Sequence, residues 1–565
     1  MALGAALQIG RSALLTYQRA IEVTGHNLAN IATPGYHRQV VGAEPSRAQE
    51  IQANQFVGQG VQVQAITRQA NNALEGRIRN NLADQAFSTA RRDLLAQIES
   101  LHNEYSDSDV SSQLNTFFNA WSELANNPQD NSLRTLVLRQ ADNLTHVVRD
   151  IRDGLVQLRL QTDGAIDGAA ADADDVLTQI ALVDQQIVKS GGAEPGLLDT
   201  RDALLGRLAE FFDVSTIAHP NGSVDVYVGS IPVIFNGQTR GVEVQRTTVG
   251  DELQIGIMLK DDGSPLEATA GRIGALIQAR EEDINFALDE LDSFVNTFIY
   301  EVNRVHTQGQ GMAGFDTVTG TNRVTDLTEA LNDPASGLRF TPTHGSFQLH
   351  VTQKSTGQRV TTTINVDLDG VNAATDSRLA DVVADIDAAA NVNGSITSDG
   401  RLKIGADTGD FEFSFSNDTS GILAALGVNT FFSGTGSEDI ALNPVVDDSP
   451  LMVAAGTTHQ AGDNTNAIAM AALRTKQLNS MGGLTINEKW ARHVEEFAVR
   501  LGQTSQQLEA EGLVGENLSA QQQAISGVNA DEEAINLLAF QRAYQGSARF
   551  IQIVDELLEA LLSLA

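Results

Sequence analysis

Residues 3–36 read LGAALQIGRSALLTYQRAIEVTGHNLANIATPGY. Leu7, Leu14, Ile21 and Leu28 recur every seven positions, and Leu3 and Tyr17 fill intermediate positions of the same stripe. A seven-residue apolar repeat is the seam of an amphipathic helix that seeks a partner of its own kind. The helix is expected to end at Thr33-Pro34-Gly35, because proline disfavours helical geometry in the residue before it and glycine accepts the turn that follows. At roughly 1.5 Å per residue it would be about 40 Å long and unable to bury its stripe against itself.

The far end of the chain offers the partner. Leu537, Phe540, Tyr544, Ile551, Val554, Leu558 and Leu561 fall on steps of three and four, interrupted only by Ser547. Asn529 can cap the start of this helix, with Glu532 placed to reach back and Asp531 to Glu533 lying at the positive helix end. Residues 1–40 carry Arg11, Arg19 and Arg38 against Glu22, whereas the closing segment is acidic, so the two ends differ in sign. Exposed ion pairs contribute only about 0–1 kcal/mol each. Burying a large apolar side chain contributes about 1.5–3 kcal/mol, so the seam decides the pairing and charge selects its orientation.

Between the ends, helical patterning runs from about Asn71 to Leu160 and from Ala171 to Phe212, then yields to alternation at Val224, Val226 and Val228 after Pro220-Asn221-Gly222. A further helix is marked by Ile277, Ile284, Leu291, Phe298 and Val305. From about Gly314 to Pro450 the composition shifts to Thr, Gly, Asp and Val, with alternation at Phe347, Leu349, Val351 and at Phe411, Phe413, Phe415. Helix returns from Asn464 to Leu508. The expected class is mainly α with an inserted β domain: paired N- and C-terminal coiled-coil-like helices, a discontinuous helical body and a mainly β outer domain. The expected divisions are residues 1–60 with 520–565 as a terminal helical assembly domain, 61–313 with 451–519 as a helical body with a small β element, and 314–450 as the mainly β outer domain.

Composition narrows the function. Of 565 residues, 37 are basic and 72 acidic, and a net charge of −35 argues against nucleic acid or an anionic membrane as partner. Aromatic residues are only 5% and cysteine is absent, which favours rods over pockets and excludes disulfides, thiolate nucleophiles and cysteine-ligated metals. Neither a basic, apolar leader at Met1 to Gly10 nor an apolar run of about 18 residues is visible, so no membrane insertion is expected and export would use a route that reads no cleaved signal.

Motifs that carry chemistry fail on context. Gly309, Gly311 and Gly314 match G-x-G-x-x-G, but the motif follows a helix instead of a strand and opens no helix that could hold phosphate. Asn365, Asp367, Asp369, Gly370 and Asp376 have the oxygen spacing of a calcium loop, yet they begin with Asn and follow a strand-like run, so a polar turn is expected with weak cation binding as the alternative. The ten histidines include no H-E-x-x-H pair, and no G-x-S-x-G turn occurs. No catalytic, cofactor-binding or metal residue is therefore assigned, no cofactor is expected, and the protein is read as a non-enzyme.

The exit of the first helix, Gly25-His26-Asn27-Leu28-Ala29-Asn30-Ile31-Ala32-Thr33-Pro34-Gly35-Tyr36, closely resembles the N-terminal signature of the flagellar rod, hook and hook-associated proteins. Gly58 to Val63, with Ile66 and Arg68, looks like the strand that follows it in that family. At the other end, Ser526-Gly527-Val528-Asn529-Ala530-Asp531-Glu532-Glu533-Ala534 and Phe540-Gln541-Arg542-Ala543-Tyr544-Gln545 resemble the C-terminal signature of the hook-associated branch, with Ala530 in place of the usual leucine. Weaker similarity touches Leu198-Asp199-Thr200-Arg201-Asp202, Val302-Asn303 to His306, Leu426-Gly427 with Thr430-Phe431-Phe432, and Gly462-Asp463-Asn464. The resemblance implies a secreted subunit of the extracellular bacterial flagellum at the hook–filament junction, exported by the flagellar type III apparatus. Its implied partners are further copies of itself, hook protein, hook-associated protein 3 and a flagellar export chaperone. The expected assembly interface is Leu7, Leu14, Ile21, Leu28, Asn27, Asn30, Pro34, Gly35, Tyr36, Asn529, Leu537, Phe540, Tyr544, Ile551, Val554, Leu558 and Leu561. The alternatives are another axial protein, hook protein or hook-associated protein 3, and a type III secreted effector or a surface glycan-active protein with chemistry hidden in residues 314–450.

Overall fold

The opening stretch is one helix from Ala2 to Ala29 and the closing stretch another from Ala530 to Leu564. The computed structural model describes residues 2–52, 55–102, 109–250, 252–371 and 376–564. Mainly α architecture with long terminal helices and a strand-rich inserted stretch is what the apolar periods predict. Two units are present: residues 1–94, 161–281 and 502–565 form the first, and residues 95–160 and 282–501 the second. Helices Asn72–His102, Asn131–Lys189 and Ile486–Ser526 each contribute to both.

In the first unit, residues Gln39–Pro45 pair antiparallel with Val61–Arg68 directly after the turn that ends the N-terminal helix. Two sheets follow where the sequence marks only a small β element. Strands Val214–Ala218, Val224–Val228, Ile231–Phe235 and Gln238–Thr239 form one, and Val242–Val249, Glu252–Leu259 and Pro265–Leu266 the other. The second was missed because a strand such as Val242–Val249 carries Gln245, Arg246, Thr247 and Thr248, which weaken its hydrophobic alternation. Fully buried Asp184 fastens this region: Oδ1 accepts from the Arg201 guanidinium at 3.0 Å and Oδ2 from the Val224 amide at 3.0 Å.

The second unit is built on an aromatic core. Phe117 and Trp121, from a helix capped by Asp109, meet Phe298, Phe431 and Phe432 with ring centroids 5.4–6.2 Å apart. Helix Asn285–His306 supplies Phe298 and two polar fasteners. Asn303 Oδ1 accepts from the Phe431 and Phe432 amides at 2.9 and 2.8 Å, and its Nδ2 donates to the Phe432 carbonyl. His306 Nδ1 donates to the Asn429 carbonyl at 2.8 Å, and Nε2 accepts from the Ala454 amide at 2.9 Å. Two of the interior similarities in the sequence, at Val302–His306 and at Leu426–Phe432, therefore converge on one packing centre.

The strand-rich stretch of this unit centres on Gly345–Gln353, flanked antiparallel by Arg359–Val366 and Phe411–Ser416. The period-two pattern buries Phe347, Leu349 and Val351 with Ile364, Val366, Phe413 and Phe415. Gly309 and Gly311 have a packing role: a Cβ on Gly309 would lie 2.6 Å from Asn466 Cγ, and one on Gly311 would lie 2.9 Å from Met452 Cα. Backbone approach, not phosphate, accounts for those glycines.

Buried histidines give this unit a pH dependence. Burial pushes His306 and His350 down to about 4 and His493 to about 3. Each is therefore neutral when folded, and its contribution is complete above the ordinary histidine value near 6.5 and lost as pH falls toward the folded value. The chain's 2 tryptophans, Trp121 and Trp490, both lie in this unit. Thermal melts followed by tryptophan fluorescence are expected to shift to lower temperature between pH 6.5 and 4.

Candidate assembly interface

The terminal helices run antiparallel. Tyr17 packs on Phe540 with ring centroids 6.5 Å apart, and a Cβ on Gly10 would fall 2.7 Å from Ile551 Cγ1. Glycine at position 10 is thus what lets the helices approach so closely. Hydroxyls hold the outer face of the first helix to the strand behind it: Ser12 Oγ accepts from the Val61 amide at 3.2 Å, and Thr16 Oγ1 donates to the Val61 carbonyl at 3.5 Å.

At the other end of the pair the exit turn is closed by a polar lock. Tyr36 donates its amide back to the Thr33 carbonyl at 3.3 Å across Pro34 and Gly35, and Gly35 has φ +74°, the geometry of a type II turn. Asn27, 1% exposed, uses its full hydrogen-bonding capacity. Its Oδ1 accepts from the Tyr36 hydroxyl at 2.8 Å and the Gln39 amide at 2.9 Å, while Nδ2 donates to the Gln39 carbonyl at 2.9 Å and Glu533 Oε2 at 3.1 Å. Glu533, 2% exposed, turns Oε1 to Arg38, whose Nε and NH2 each lie 2.7 Å away. The Arg38 amide donates to the Ser526 carbonyl at 2.9 Å. Burial, with Asp199 and Glu533 nearby, pushes the Tyr36 phenol up to about 12, so it stays a donor.

His37 carries the lock into the body. Its Nδ1 is 2.8 Å from Asp199 Oδ1 and its Nε2 is 3.4 Å from Glu75 Oε1. Hydrogen bonding to Asp199 and then Glu75 raises its pKa to about 9 against the opposing effect of burial. The imidazolium's contribution is complete below pH 6.5 and lost as pH rises through 9, on the order of 3 kcal/mol. Amide exchange in the first unit is expected to quicken between pH 7 and 10 beyond the base-catalysed chemical trend, and His37→Gln to flatten that excess. Arg68 NH1 completes the network at 2.9 Å from Asp199 Oδ1 and 2.6 Å from Asp202 Oδ2.

The residues expected at the interface divide by position. Leu7, Leu14, Ile21, Asn30 and Tyr36 are half-buried, and Leu28, Pro34 and Gly35 are exposed. The positions that the first helix buries most are Gly10, Thr16, Ala20, Val23, Thr24 and Asn27, a small and polar face. On the closing helix Val554 is buried, Leu537, Phe540, Tyr544, Ile551 and Leu558 are half-buried, and Leu561 is exposed. Asn529 is exposed and caps the helix by accepting from the Asp531 amide at 3.0 Å. Glu532 lies 3.6 Å from Arg38 NH1. Sequence reasoning counted the charges of Arg38 and Glu533 but left both out of the interface. Their signal was the opposite sign of the two ends.

Much apolar surface stays uncovered in the single chain. Phe550, Ile553, Leu557 and Leu561 follow one another at helical spacing and are all exposed, as are Leu15, Ile31, Ile535, Leu538 and Leu562. The turn at Asn30–His37 and the segment Ser519–Asn529 also border an open cleft of about 740 Å³. Exposed apolar patches of this kind mark protein–protein contact.

The acidic turn gathers His344, Asp367 and Asp369, whose ligand atoms lie within 4.8 Å of one another. His344 Nδ1 is 3.2 Å from Asp367 Oδ1, and Asp369 Oδ1 accepts from the Val371 amide at 2.8 Å, so a side-chain contact and a turn engage the two carboxylates. Among the described residues, no helix is long and apolar enough to cross a membrane.

Two long helices from opposite chain ends, zipped antiparallel and closed by a polar lock at the first helix exit, bring together the two signatures whose resemblance points to a flagellar axial subunit. The comparisons agree at both ends and in the middle. Residues 7–37 match the model of the flagella basal body rod protein, 521–564 that of the flagellar basal body rod FlgEFG protein C-terminal region, and 95–322 that of the flagellar hook-associated protein FlgK helical domain. Flagellar hook-associated protein 1 of Bacillus subtilis (strain 168) is 24% identical over 99% of this chain and 97% of its own. The proteins of the same name from Escherichia coli (strain K12) and Salmonella typhimurium are 23% and 24% identical over 98% of each chain. Among solved structures, the flagellar hook junction protein FlgK from Burkholderia pseudomallei shares the fold, with a TM-score of 0.50 and 16% identity over 80% of this chain and 100% of that one. The chain belongs to the flagellar hook-associated protein 1 family.

Proposed function

We propose that the chain is a structural subunit of the bacterial flagellum that forms the junction between hook and filament, assembling through its terminal helices. The observation that carries this reading is the Asn27–Glu533–Arg38 lock, which joins the two terminal signatures while leaving Phe550, Ile553, Leu557 and Leu561 uncovered. Neighbouring copies would cover that face, hook protein would bound the assembly on one side and hook-associated protein 3 on the other. Before assembly the same apolar helix suits a flagellar export chaperone, with export through the type III apparatus. The family is structural, and the protein acts by packing and not by catalysis. Paired within one chain, the two helices still leave an apolar face open, so their amide protection is expected to rise on assembly. Gold labelling of a tagged chain on intact flagella tests the position. Label confined to the boundary of hook and filament is expected; label along the filament, or none on the flagellum, would overturn the reading.

A further inference from the structure

The first unit holds a second polar cavity, which borders the His37 network. Its volume is about 420 Å³, and it is bounded by Arg68, Asn72, Gly76, Arg79, Asn80 and Thr216, among others. Arg79 is 8% exposed, yet no carboxylate lies within 4.0 Å of its guanidinium among the described residues. Its hydrogen bond is from NH2 to Thr216 Oγ1 at 3.4 Å, long for a charged donor, and its buried Nε has no partner. Two carboxylates also border the cavity, but both are engaged elsewhere. Glu75 Oε1 accepts from Gln522 at 2.7 Å and faces His37, and Asp202 Oδ2 is bound by Arg68 at 2.6 Å. The second buried arginine on the wall, Arg201, is matched by Asp184.

A buried guanidinium with no direct ion pair and an unpartnered donor is costly, and native proteins rarely leave one unless something completes it. Asp202 and Glu75 favour the Arg79 charge from a distance but neither pairs with it, and the cavity is open and lined by groups that bind oxygen: the guanidinium fork, the Thr216 hydroxyl and the amides of Asn72 and Asn80. We propose that this cavity binds a small oxyanion, a phosphate or a carboxylate, with Arg79 as its principal contact and Thr216 as a second. The site is independent of the assembly reading and would be present in the isolated chain.

The probes are inorganic phosphate, acetate and chloride at matched ionic strength, read by thermal melting and by titration calorimetry on the full chain. Phosphate or acetate is expected to raise the melting temperature of the native protein by about 2–4 °C at saturation beyond the chloride control. Arg79→Met is expected to lose that excess and, because it removes a buried charge that has no direct ion pair, to melt no lower than the native protein in chloride. Asn80→Asp, at an exposed position on the rim, is expected to fold normally and to abolish the excess by placing a fixed carboxylate beside Arg79. A larger effect of phosphate than of acetate would assign the site to phosphate, and the reverse to carboxylates. An equal rise in native protein and Asn80→Asp would be general salting and would overturn the proposal. So would Arg79→Met that melts well below the native protein with no anion effect in either, which would make Arg79 a packing residue only.

Discussion

Glu533→Ala is expected to lower the stability of the unit that holds the chain ends by about 3 kcal/mol, and to abolish assembly while the rest of the chain stays folded. The carboxylate is 2% exposed and serves two partners, the Asn27 amide and the Arg38 guanidinium. Truncating one member of a buried pair leaves the other charge without compensation, which costs about 3–5 kcal/mol when both are dry; Arg38 keeps some water contact, so the lower end applies. Glu533→Gln is expected to cost less, since it keeps an acceptor for Asn27 and loses only the charge. Pairing Glu533→Leu with Arg38→Met removes both charges together and should recover part of the loss. Urea unfolding followed by helical circular dichroism, with the four chains compared, measures each step. Equal stability of Glu533→Ala and the native protein would show that the lock is ornamental.

Asn303→Ala is expected to destabilise the second unit by about 3–5 kcal/mol, a larger effect than an ordinary buried hydrogen bond. One side chain there satisfies two amides and one carbonyl of Phe431 and Phe432, all inside the aromatic core. Its removal orphans three buried backbone groups, at about 1–3 kcal/mol each, with partial relief where water or rotation reaches them. Asn303→Asp should be nearly as damaging, because it keeps the acceptor for the two amides but sets a charge against the Phe432 carbonyl. Tryptophan fluorescence reads this loss directly, since Trp121 packs on Phe431 at 5.4 Å between ring centroids. A midpoint within experimental error of the native one would contradict the role given to Asn303.

The terminal helices and the alternating strands were legible because their signals are local. Seven-residue spacing at Leu7, Leu14, Ile21 and Leu28 marked the first helix, and alternation at Phe347, Leu349 and Val351 marked the central strand of the inserted sheet. Which face of the helix is buried was less legible. The heptad stripe stays half-exposed, whereas Gly10, Thr16, Ala20 and Asn27 are covered, because close approach and hydroxyl docking favour small residues that carry little hydrophobic signal. The lock itself was illegible for another reason: Asn27 and Glu533 are 506 positions apart, and only the folded chain makes their charges and amides reciprocal. The same holds for His37 and Asp199, and for Asn303 and Phe431. The sheets between Val214 and Leu266 were under-read because polar strand faces hide their period.

The most direct test of the account is complementation of a strain that lacks this chain, with electron microscopy of its flagella. The deletion is expected to leave hooks without filaments. Full-length protein should restore filaments and swimming, whereas a chain lacking residues 526–565, or one carrying Glu533→Ala, should leave the hooks bare. Filaments of normal number and length on the deletion strain, or full rescue by the shortened chain, would contradict the claim that the joined chain ends build the junction.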